Sequence, residues 1–126
     1  MGRTNRKYDL EDRLIEFASQ VIELAEGLPE TVAGRHLGRQ LIRSGTAPAL
    51  GYGEAQGAES RADFIHKMKI GLKELRETMV NLKIISRRKY VADAQLDSLL
   101  HENHELISIF VRSIATARAN QLNTKQ

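Results

Sequence analysis

Residues 59–89, ESRADFIHKMKIGLKELRETMVNLKIISRRK, carry Ile65, Met68, Leu72, Leu75, Met79, Leu82 and Ser86 in steps of three and four. That interval puts all seven on one side of an α-helix, a seam that must face a partner. Ser60 is a good N-cap, and Asp63 three residues on completes a capping-box pattern with a short acid. Only Gly71 interrupts the run, at a cost of about 1 kcal/mol against Ala unless close packing uses it. At 1.5 Å per residue the helix is about 45 Å long. No short helix covers such a seam, so the chain must supply long helices.

Two other faces of this helix bear on function. Lys69, Arg76 and Lys83 recur every seven residues on one flank of the seam, with His66, Lys73 and Arg87 on the opposite flank. Ile70 and Ile84 lie opposite the seam, beside Ile85. Two isoleucines in register mark a second buried surface. Either the helix is central in the fold or these three residues form a subunit interface.

The rest of the chain supplies the partners. Leu14, Phe17, Val21 and Leu24 form the seam of a first helix over 9–26, capped by Asp9 and ended by Gly27-Leu28-Pro29, where Gly suits a left-handed C-cap. A second helix begins near Thr31, with Leu37, Leu41 and Ile42 facing inward and Arg35, Arg39 and Arg43 on one stripe. Residues 43–60 hold Gly45, Gly51, Gly53, Gly57 and Pro48 and resemble a loop. A structureless loop of that length does not suit a compact domain. The four-residue spacing of Gly45, Ala49, Gly53 and Gly57 instead predicts a helix over 31–57, kinked near Pro48, that a neighbour approaches closely. A fourth helix over 93–120 has Leu96, Leu100, Asn103, Ile107, Phe110, Ile114 and Ala117 as its seam. Asn103 there is a register device. Flexible ends are expected at 1–7 and 121–126. No strand pattern occurs, and the fold class expected is all-α, an antiparallel up-and-down four-helix bundle in a single domain.

With 126 residues the chain is long enough for one real core. It has no cysteine, which removes disulfides and thiolate metal sites. No apolar run reaches eighteen residues and no secretory signal pattern opens the chain, so a cytoplasmic protein without membrane contact is expected. The net charge of +3 hides an asymmetry. Residues 9–30 hold seven acids against Arg13 alone, whereas 31–52 hold three arginines and no acid. One side is suited to a polyanion and another would avoid it.

Catalytic chemistry finds little support. His101, Glu102, His104 and Glu105 resemble metal ligands, but the two histidines are three apart where the zincin pattern needs four. A di-iron bundle needs inward Glu and Glu-x-x-His pairs on other helices, which this sequence lacks. The cluster reads as a solvated polar face. No phosphate-loop pattern and no paired nucleophile and base occur, so no enzyme, metal or cofactor is expected. What remains is a basic surface that would contact phosphates rather than bases. Trp is absent and aromatics are few, so base stacking is poorly served.

LEDRLIEFA in the first helix and RQLIRSGTAPALGYGEAQGAESRADFIHKMKIGLKELRETMVNLKII across the second and third are similar to a bacterial family. It is the four-helix-bundle family encoded in 23S rRNA intervening sequences, to which the accessory variability determinant protein of diversity-generating retroelements is related. The resemblance spans about Tyr8 to Ala117. It implies an up-and-down bundle assembled into a homopentamer, without known catalytic activity. It also implies nucleic-acid binding, RNA or DNA, through a basic outer surface, and a reverse transcriptase or other protein as a further partner. The chain departs from the family pattern at Gly51, where Asn is usual, and at Asn81, where an aromatic is frequent. Two functions follow as expectations. One is binding of structured RNA through Arg35, Arg39, Arg43, Lys69, Lys73, Arg76, Lys83 and Arg87; the other is a scaffold or adaptor ring that binds protein alone.

Overall fold

The computed structural model describes residues 6–125, with side chains from 10 to 122. It contains four helices: α1 (Arg6–Glu26), α2 (Val32–Gln56), α3 (Arg61–Arg88) and α4 (Asp93–Lys125). Of the expected loose ends, 1–5 and 126 lie outside the described residues, while 6–7 and 121–125 continue α1 and α4 as helix. Asp9 is therefore inside α1 and does not cap it. No helix among the described residues is long and apolar enough to cross a membrane.

Each helix packs against the next, and α4 closes back on α1. Paired residues climb one helix as they descend its neighbour. A Cβ on Gly38 would face Ala25, and one on Gly45 would face Val21. Ser44 meets Thr78, while Glu54 lies near Lys67. Arg61 reaches the Asn120 carbonyl and Gly71 lies against Phe110. Consecutive helices thus run in opposite directions.

Glycines and caps explain these boundaries. A Cβ on Gly34 would stand 1.9 Å from the Pro29 carbonyl oxygen, and one on Gly45 would stand 2.6 Å from Val21 Cγ1. Gly71 plays the same part between α3 and α4, where a Cβ would sit 2.7 Å from a Phe110 ring carbon. Within the glycine-rich stretch, which is helical to Gln56, Gly45 is the glycine that makes such an approach. Gly51 and Gly53, however, face open space, with no neighbouring atom within 4 Å of where a Cβ would stand. Thr31 accepts from the Gly34 amide at 3.0 Å, and Ser60 accepts from the Asp63 amide at 3.0 Å, as N-caps do. Asp63 in turn accepts from the Glu59 amide at 3.4 Å.

The expected left-handed cap at Gly27 does not form. No glycine among the described residues has positive φ, and α1 ends in bonds from Gly27 to Leu24 and from Leu28 to Ala25. The left-handed cap is instead Lys89, at φ 57° and ψ 40° after α3. A non-glycine residue there carries a Cβ penalty. Lys89→Gly should therefore raise stability by up to about 1 kcal/mol, read as a higher melting temperature.

The core holds Leu14, Phe17, Val21 and Leu24 of α1 as expected. In α3 the buried stripe is rotated from the predicted seam. Gly71, Thr78 and Ile85 are buried, while Leu72, Met79 and Ser86 are half-buried. The reason is that α3 has two neighbours: α2 covers one side of the stripe and α4 the other. In α4, Leu99 and Leu106 are buried more deeply than Leu100 and Ile107. Ile42 of α2 lies at the surface and does not face inward.

Three buried polar residues tie the helices together. The Thr78 hydroxyl lies 2.9 Å from the Ser44 hydroxyl and 2.8 Å from the Glu74 carbonyl. Asn103 is fully buried. In the amide orientation that satisfies both ends, it donates to the Leu75 carbonyl at 3.1 Å and accepts from the Met79 amide at 3.2 Å. These two groups are i, i+4 partners in α3, so one side chain fixes the height of α4 against α3.

Candidate nucleic-acid interface

Because α2 and α3 are neighbours running in opposite directions, their basic residues stand at matching heights, although Arg35 and Arg39 line a groove with Glu26 and Glu30 at the end of α1. Ser44 opposite Thr78 sets the register. Arg39 and Arg35 are therefore placed level with Lys83 and Arg87. On α3, positions 69, 73, 76, 80, 83 and 87 step by four and three, so their side chains share one face. Lys69, Lys73, Arg76, Lys83 and Arg87 are all exposed, with Val80 among them. The two flanks read from the sequence are one outward stripe. These cations and Arg39 lack hydrogen-bonded or ion-paired partners among the described residues, whereas Arg35 donates to the Glu30 carbonyl at 3.0 Å.

Arg43 differs. Its Nη2 lies 2.9 Å from Glu77 Oε1 and its Nη1 lies 3.2 Å from Glu74 Oε1. The hydrogen bond to Glu77 and the charge of Glu74 raise the guanidinium pKa above its ordinary value. Spacing along α3 offers Glu74 and Glu77 nearer cations in Lys69, Lys73 and Arg76, yet both acids pair across to α2. Arg43 is thus a bridge between helices more than an open phosphate contact.

A shallow groove of about 640 Å³ crosses the middle of the α3 stripe. Leu72 and Val80 give it apolar surface, Lys69, Lys73 and Arg76 its basic rim, and Gln40 reaches it from α2. Asn81 lines one side.

Surface charge is divided between helix pairs. α2 and α3 carry eleven Lys and Arg against four Asp and Glu. α1 and α4 carry six against ten. Since α2 and α3 are adjacent, as are α1 and α4, one side of the bundle is basic and the other acidic.

The predicted interface residues separate. Ile70 is 49% exposed and Ile84 is 43% exposed, so both remain available to a partner. Ile85 is 0% exposed and belongs to the core, because it points between the neighbouring helices rather than away from them. Sequence reasoning missed Val80, 56% exposed, although its place between Arg76 and Lys83 in the stripe was readable.

Of the HENHE cluster, Glu102 does not belong to a solvated face. Its carboxylate receives two bonds from Arg13 of α1, at 2.8 and 2.9 Å. No group of three His, Cys, Asp or Glu among the described residues is arranged to hold a metal.

Four helices and a surface divided by charge define a helical-bundle protein with one basic and one acidic side. The family of 23S rRNA-intervening sequence proteins matches residues 6–112, and the chain belongs to it. A crystal structure of a protein with unknown function from the S23 ribosomal protein family, from Bacteroides thetaiotaomicron VPI-5482, is similar at 33% identity and TM-score 0.77. The similarity covers 83% of this chain and 97% of that one. No curated protein matches the chain.

Proposed function

We propose that the protein is a non-catalytic, homo-oligomeric binder of structured RNA that grips phosphates with its α2/α3 side. The observation that carries this reading is the charge of the α2/α3 pair, eleven Lys and Arg against four Asp and Glu, with Arg35 and Arg39 at the height of Lys83 and Arg87 and with Glu26 and Glu30 flanking the two arginines. Lys69, Lys73 and Arg76 extend the same surface in the protomer. Contacts of this kind position a polyanion without reading its sequence. Repetition around a ring would multiply them and give avidity. The apolar residues left open on α2 and α3, Leu50, Ile70, Val80 and Ile84, support assembly. The number five rests on the family resemblance, and light scattering at five times the 14.2 kDa protomer mass is the expected result.

Arg35→Ala combined with Arg39→Ala tests the RNA contact, with Arg112→Ala and Arg118→Ala on α4 as the control pair. The first pair should weaken binding to a structured RNA for any sequence. It should also lower the slope of log affinity against log salt by about one for each phosphate no longer neutralised. Filter binding at low and moderate salt reads both. Equal affinity and slope in the folded α2 variant would remove this function.

A further inference from the structure

We infer that the groove between the start of α3 and the end of α4 binds a small aromatic acid, with the ring against Phe64 and the anionic head at Arg112. The groove holds about 810 Å³, lined by Arg61 and Phe64 of α3 and by Arg112, Ser113, Thr116 and Ala117 of α4. That volume is in the range of pockets that take small molecules. The groove lies on the α4 side of α3 and shares no residue with the phosphate contacts of α2 and α3. The inference therefore goes beyond the RNA reading and requires no nucleic acid.

Helix register builds the groove. Arg61 donates to the Asn120 carbonyl at 2.9 Å and Gly71 meets Phe110, so Phe64 stands level with Ala117. Ala117 is buried and too small to fill the space beside the ring. Phe64 is half-buried: it packs on the core and also lines the groove. Arg61 closes one end at the height of Asn120, and Arg112 stands about 12 Å back along α4. Thr116 is one turn beyond Arg112 on the same face, and its hydroxyl and that of Ser113 lie beside the guanidinium's end of the groove.

Charge selects the ligand. The acids of α4 are Asp93, Asp97, Glu102 and Glu105, all in its first half, and from Leu106 to Lys125 only Arg112, Arg118 and Lys125 are charged. No Asp or Glu lines this groove. The α3 groove, by contrast, has Glu77 beside its cations, and the groove at the end of α1 has Glu26 and Glu30. Two guanidiniums with no carboxylate between them leave a positive potential for an anion to fill. The planar fork of arginine meets a carboxylate through two parallel hydrogen bonds. Phe64 then favours a flat aromatic body, because ring against ring is worth more than the area it buries. An aliphatic acid would satisfy Arg112 and not Phe64, and a neutral aromatic the reverse.

Isothermal titration calorimetry of the full chain with naphthalene-2-carboxylate tests it. The parent should bind this acid. The neutral naphthalene-2-carboxamide should bind about tenfold more weakly, and the saturated decahydronaphthalene-2-carboxylate about threefold more weakly. Arg112→Gln should weaken naphthalene-2-carboxylate about tenfold and Phe64→Leu about threefold. Arg118→Gln removes the same charge from α4 outside the groove and should change nothing. Circular dichroism confirms that the variants are folded, and Arg112→Gln, at the surface, decides the matter where Phe64→Leu does not fold. The inference is overturned by a parent that does not bind the acid, or by an amide or saturated acid that binds as tightly. It is also overturned by a folded Arg112→Gln or Phe64→Leu chain that binds like the parent, or by an Arg118→Gln chain that loses as much as Arg112→Gln.

Discussion

Asn103→Asp should destabilise the bundle by about 3–5 kcal/mol at neutral pH and lose much of that penalty in acid. The change keeps the size of the side chain and replaces its donor. Where the amide faces the Leu75 carbonyl at 3.1 Å, a carboxylate would place oxygen against oxygen in a fully buried site. Burial and the carbonyl both favour the neutral acid, so the folded-state pKa of this Asp rises above its unfolded value of about 3.9. A raised folded pKa means that the native state holds the proton longer than the unfolded chain. Stability is then kept below about pH 4 and lost as the pH climbs through the folded pKa. Urea unfolding of the variant minus the parent at pH 4 and pH 7 measures it, and subtraction cancels the other carboxylates. Asn103→Leu should cost less than about 1.5 kcal/mol, because Leu75 and Met79 remain helical partners of each other. Equal losses for Asp and Leu at pH 7 would show that the amide sets nothing.

Gly34→Ala and Gly45→Ala should also lower stability, against the ordinary preference of helices for alanine. The Gly34 methyl would enter the Pro29 carbonyl oxygen, so backbone must move, and a loss of about 3 kcal/mol is expected. The Gly45 methyl would meet Val21 at 2.6 Å from Cγ1 and 3.1 Å from Cβ. Its loss should be about 1–2 kcal/mol after the helix gain of about 1 kcal/mol is counted. Gly51→Ala and Gly53→Ala face open space and should each add about 1 kcal/mol. Thermal melts of the four variants check the order. A gain at Gly51 or Gly53 that is full in the protomer and absent in the assembled protein would mark the position as a contact between copies.

The candidate site was legible in its parts and not in its arrangement. Spacing alone finds Arg35 and Arg39 on one stripe, and Lys69, Lys73, Arg76, Lys83 and Arg87 along another. It could not show that Arg43 is held by Glu74 and Glu77, because both acids have nearer cations in sequence and the pairing crosses helices. Arg13 and Glu102 were missed for the same reason: they are 89 positions apart, and neither lies in a pattern that names the other. Ile85 was misread because apolar character marks a buried surface without saying whose surface buries it.

The four helices, their ends at Thr31 and Ser60, and the seam of α1 are set by the sequence itself, since 3.6-residue periodicity and capping are local properties. Glycine's lack of a side chain is local too, and it allowed Gly45 and Gly71 to be read as places of close approach, while the same spacing wrongly included Gly53, which faces open space. Which helix approaches was decided by tertiary packing: Val21 of α1 against Gly45 and Phe110 of α4 against Gly71. Packing also rotated the buried stripe of α3 toward Gly71, Thr78 and Ile85, because two neighbours share that helix. Finally, it placed α2 beside α3 and α1 beside α4. A net charge of +3 thereby became a basic side and an acidic side, which no count along the chain contains. Charge acts through distance in space, and distance across a bundle is fixed only when the helices pack.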